Sequence, residues 1–112
     1  MTDPAILAAT RSAGAVVLYM TGLGATDPPL REGVAAPASP LTQTLLQPTV
    51  LAGGQAAPVF FSGLAPGLVG VYQVNASIPA DAPATLEIVV EAGGRRSKMF
   101  SFNQVGPTAK ER

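Results

Sequence analysis

The chain has 112 residues, 47% of them apolar and only 12% charged, with seven Lys plus Arg balancing seven Asp plus Glu and with neither His nor Cys. That length fits one domain with its own core, and the sparse, balanced charge leaves no long-range field to draw it onto nucleic acid or an anionic membrane. Lacking His and Cys, it cannot form a disulfide, a thiolate metal site, a Ser-His-Asp arrangement or the commonest zinc ligand.

Twelve glycines and eleven prolines are spread along the whole length. They leave no uninterrupted window with a helical apolar stripe, so short strands joined by turns are expected, as in a sandwich or barrel. "PAILAAT" near the N-terminus reads as a modest strand, followed by a turn at Arg11-Ser12-Ala13-Gly14 and a firmer strand from Ala15 to Met20. Residues 21–44 have almost no periodicity and contain Pro28, Pro29, Pro37 and Pro40. A stretch that long must pack on the domain or serve a purpose.

"QPTVLA" and "APVFFS" flank Gly53-Gly54-Gln55, which predicts a β-hairpin between them. Beyond the Gly-rich corner "GLAPGLVG", Tyr72, Val74, Ala76 and Ile78 alternate with Val71, Gln73, Asn75 and Ser77. Strict alternation is the mark of a half-buried strand, with the first set facing inward. "ATLEIVVE" repeats it with Leu86, Ile88 and Val90 inward, and Gly93-Gly94 turns into "RRSKMFSFNQV" with Phe100 and Phe102 on its inner face. The expectation is an all-β domain of about seven strands: an N-terminal strand or extension over 1–14, a sandwich over 15–105 and a fraying polar tail over 106–112.

Few groups offer chemistry. Glu87 and Glu91 lie four apart on one outward strand face, roughly 13 Å from each other by the rise per residue, too far for paired-carboxylate glycoside chemistry. Asp27, Glu32 and Asp81 are loop carboxylates without EF-hand spacing, so a calcium site is a minor alternative. Arg95, Arg96 and Lys98 form a basic cluster at the last turn, suited to an acidic neighbour, an anionic glycan or plain solvation. "TGLG", with Gly22 and Gly24, and "GLAPGLVG", with Gly63, Pro66, Gly67 and Gly70, are candidate phosphate cradles, but neither has a P-loop lysine or a following helix. They are better read as turns, with Gly63, Gly67 and Gly70 permitting a sharp crossing and Pro66 stiffening it. Tyr72 is expected to anchor the core with its hydroxyl hydrogen-bonded.

The order of "VVLYMTGLGATDPP", "AAPASPL", "PVFFSGLAPGLVGVYQVNASIP" and "EIVVEAGG" resembles an uncharacterised immunoglobulin-like domain found at the C-terminal ends of large, repetitive exported proteins of soil bacteria. More broadly it is similar to the immunoglobulin-like, plexin and transcription-factor (IPT/TIG) sandwiches. The resemblance implies an immunoglobulin-like β-sandwich of early-set topology in an extracellular or cell-surface setting, and no catalytic residue.

The function expected is a non-catalytic structural or adhesive module whose partner is another protein or itself, through sheet-edge pairing. Its candidate contact surface comprises Asp27, Arg31, Glu32, Arg95 and Arg96. The alternative is a carbohydrate-binding module, disfavoured because the sequence has no Trp and its two Tyr and four Phe are mostly in inward phase. No cofactor is expected. Nor is membrane insertion, since no apolar run reaches about 18 residues.

Overall fold

The computed structural model describes residues 4–12, 14–27, 29, 33–37, 42–79 and 85–103. They form two antiparallel sheets and no helix, and the sheets pack face to face as a β-sandwich. The six-stranded sheet runs in the order β1 (Ala5–Ser12), β2 (Ala15–Thr21), β8 (Tyr72–Ser77), β7 (Val59–Leu64), β4 (Gln43–Thr44), β3 (Thr26–Asp27). The second sheet runs β10 (Arg95–Arg96), β9 (Thr85–Ala92), β5 (Thr49–Ala52), β6 (Gln55–Ala57), and β11 (Phe100–Asn103) also pairs with β9.

The seven runs read from the sequence are all strands, and their pairing is that of an immunoglobulin constant-type domain. β1-β2-β8-β7 stands for A-B-E-D, and β5-β9 with the β10/β11 strand stands for C-F-G. The described residues form eleven strands rather than about seven. Three short ones, β3, β4 and β6, are added, and the last strand is split in two.

The apolar phase of each long strand sets the core. Val16, Leu18 and Met20 of β2, Val74 and Ala76 of β8 and Ile88 and Val90 of β9 have no exposure, and Val50 of β5 joins them. Burying the Val, Leu, Ile and Met side chains among them is worth roughly 1.5–3 kcal/mol each, the main term holding the sheets together. Ile6 and Ala9 of β1 pack against the same cluster. Residues 5–12 therefore belong to the sandwich rather than forming an extension, while the tail at 106–112 lies outside the described residues.

The expected hairpin is shorter than the sequence suggested. β5 turns at Gly53-Gly54 into β6, but β6 ends at Ala57, and β7 begins at Val59 in the opposite sheet. Pro58 sits at the switch. Its ring nitrogen cannot continue a ladder, while its carbonyl accepts the Ser77 N–H at 2.8 Å and so ties the crossing to β8.

The described residues of the 21–44 stretch do pack on the sandwich. Leu23 and Thr42 are buried, β3 pairs β4, and Ala36 bridges Pro66.

Candidate functional site

The two glycine motifs meet at one corner. Gly22 and Gly24 both have left-handed backbone, φ 83° and 87°, which lets the chain dip between them and insert Leu23 into the core. The Tyr72 hydroxyl, at the start of β8, donates to the Gly24 carbonyl at 2.6 Å. Burial raises its pKa above the ordinary 10.0. Tyr72 is thus the inward anchor expected of it, on the strand before the one that carries the immunoglobulin tyrosine corner.

Ala65–Leu68 is a β-turn with Pro66 second and Gly67, φ 80°, third, closed by the Leu68 N–H donating to Ala65 O at 3.1 Å. That is the type II arrangement these residues favour. The Gly67 N–H donates to Ala36 O and the Ala65 N–H to Val71 O, so these turn amides are committed to carbonyls. An anion at this turn would have to compete for donors already in use, which weakens the phosphate-cradle reading of "GLAPGLVG".

Gly63 does not permit a turn, as the sequence suggested. It lies inside β7 without positive φ, and a Cβ there would come within 2.0 Å of Thr42 O and 2.8 Å of the Phe61 ring tip. Its role is close approach: β4 crosses tight against β7, and the Phe61 ring lies along the strand above it.

The described charged residues of the candidate contact surface, Asp27, Arg95 and Arg96, do not converge. Asp27 is exposed on β3, the far edge of the six-stranded sheet, whereas Arg95 and Arg96 are exposed on β10, at an edge of the other sheet. Arg31, Glu32 and Asp81 lie outside the described residues. The Arg96 guanidinium pairs with Glu91 directly across the ladder, donating from Nε at 2.7 Å. Glu91 is therefore engaged in a cross-strand ion pair, and Glu87 faces solvent separately. Among the described residues no cluster of three or more His, Cys, Asp or Glu could hold a metal.

Among the described residues four lateral edges remain, and three are blunted in different ways. β3 is two residues long and carries Asp27, and β6 is three residues long and stops at Pro58. The β10/β11 edge is broken at Ser97–Met99, where the Ser97 hydroxyl accepts the Val90 N–H at 2.9 Å and Lys98 and Met99 face outward. Short strands, charges, prolines and bulges are the devices that stop edge-to-edge pairing. β1 differs. It is eight residues long, bulged only at Leu7, and from Ala8 to Ser12 it pairs β2 in regular register. Its one charged residue, Arg11, sits opposite core-facing Val16 and so on the inner side of the sheet.

The sequence reading placed most aromatics inward, but in the structure Tyr19, Phe60 and Phe61 face outward. Tyr19 lies between buried Leu18 and Met20 and faces out. β7 is irregular between Val59 and Phe61, leaving Phe60 61% exposed and turning Phe61 outward opposite Asn75. The alternation of "AVVLYM" could have revealed Tyr19, but nothing local announces the irregularity at Phe60.

No family model, curated protein or solved structure matches this chain.

Proposed function

We propose that this sandwich is a non-catalytic structural or adhesive module of an extracellular or cell-surface protein, and that it associates with a second copy through the outer edge of β1. The observation that carries this reading is the contrast among edges. Three are blunted, while Ala8–Ser12 offers a regular ladder without proline, lysine or an outward charge. A two-fold antiparallel pair centred on Thr10 would set Ala8 of each copy opposite Ser12 of the other, an isologous contact of the kind that closes as a dimer. The chain's low charge density favours association rather than repulsion. The absence of His and Cys from the sequence and the separation of Glu87 from ion-paired Glu91 support the non-catalytic reading. The extracellular placement rests on the resemblance of the motif order.

Sedimentation equilibrium tests the association. The wild-type mass should rise from 11.3 kDa towards twice that value with concentration. Ala8→Lys, which puts a charge on the outer side of this strand, should hold it at the monomer. A wild-type mass fixed at 11.3 kDa, or a variant that associates equally well, would overturn the reading.

A further inference from the structure

The outer face of the six-stranded sheet carries one row of side chains whose order is informative. Register places Ala8, Tyr19, Gln73, Gly63, Gln43 and Asp27 side by side across β1, β2, β8, β7, β4 and β3. The Gly63 position is roofed by the Phe61 ring, whose tip lies above it. The row therefore reads aromatic, amide, aromatic, amide, carboxylate. The next row adds Thr10, Val17 and Asn75, and the Gln73 side-chain N–H donates to Asn75 Oδ1 at 3.0 Å. No cation stands in either row, and Asp27 at the margin is their single charge.

We propose that this face binds a neutral polysaccharide, laid across the strands from Tyr19 towards Asp27. The inference rests on the reading of the domain as a non-catalytic adhesive module and does not depend on β1 pairing. One face of a pyranose ring presents C–H groups that stack on an aromatic ring, while its equatorial hydroxyls project sideways as combined donors and acceptors. Tyr19 and the Phe61 ring supply two such platforms, separated by two strand spacings, about 10 Å, which is the length scale of a disaccharide. Gln73 stands between them, and an amide offers a donor and an acceptor in one plane to neighbouring hydroxyls. Asp27 can accept a charge-assisted hydrogen bond from a further hydroxyl. No hydrogen bond joins the Tyr19 hydroxyl to another described residue. The lack of cations in these rows and the carboxylate at their margin disfavour acidic glycans.

Affinity electrophoresis in gels cast with hydroxyethylcellulose, xylan, glucomannan or, as the charged comparison, polygalacturonate tests the proposal. Retardation is expected in at least one neutral gel and not in polygalacturonate. Tyr19→Ala and Phe61→Ala should each weaken it about tenfold or more, while Tyr19→Phe should keep most of it. Gln73→Ala and Asp27→Asn test the same row with little risk to the core, and each should weaken retardation. Met99→Ala, on the other sheet, should change nothing. Sedimentation of the same samples separates the two readings, because Tyr19→Ala should lose glycan binding at unchanged mass. No retardation in any neutral gel, retardation that survives the row variants, or equal retardation in polygalacturonate would overturn the proposal.

Discussion

Tyr72 joins two motifs that lie far apart in sequence, and its hydroxyl is the part of that joint most open to test. Tyr72→Phe keeps the ring in the core but leaves Gly24 O without its donor, and it should cost about 1–2 kcal/mol in urea unfolding. The native state holds the phenolic proton more tightly than the unfolded chain. The hydroxyl's stabilisation is therefore complete below about pH 10 and fades as pH rises through the raised pKa. Wild-type stability should fall more steeply above pH 10 than that of Tyr72→Phe. Gly63→Ala should be the costliest glycine change, about 2–3 kcal/mol, because backbone at Thr42 O must move. Gly67→Ala faces open space and suffers mainly its positive φ, so about 1 kcal/mol is expected. Thr42 is buried, and its Oγ1 has no hydrogen-bond partner. Replacing it with isosteric valine should stabilise the fold by about 1 kcal/mol, readable as a higher thermal midpoint.

At the scale of elements, the long strands were legible because each is buried on one face only, so β2, β8 and β9 write their phase into alternating residues. The short strands were not. β3, β4 and β6 span two or three residues and exist because a neighbour offers a ladder, which local periodicity cannot show. The irregularities at Leu7 and Phe60 each add a residue that resets alternation, and for Phe61 that reset decides between core and surface. The glycines were recognised as turn formers, but only the structure separates Gly67, which needs its φ, from Gly63, which needs its missing Cβ. The break in the last strand rests on one side chain. Ser97 is buried, its N–H donates to Val90 O and its hydroxyl accepts the Val90 N–H, doing the work of a ladder carbonyl. Ser97→Ala should strand that buried N–H and cost about 1–3 kcal/mol, with faster exchange of the Val90 amide than in the wild type.

For the whole molecule, the described candidate contact residues chosen for their charge, Asp27, Arg95 and Arg96, sit on different sheets, and the surfaces that stand out carry little charge. Sequence could not show this, because which edge is open depends on strand order. Two-fold pairing at β1, with its axis normal to the sheet, would leave both outer faces on one side and set two Tyr19 to Asp27 rows in a single continuous surface. A polymeric ligand spanning both rows would gain avidity without any new contact. The most direct measurement is amide hydrogen exchange along β1 at low and high protein concentration. The account predicts that alternate amides within Ala8–Ser12, those pointing away from β2, become protected as concentration rises, while the β3 and β6 edges do not change. Exchange along β1 that is independent of concentration would contradict it.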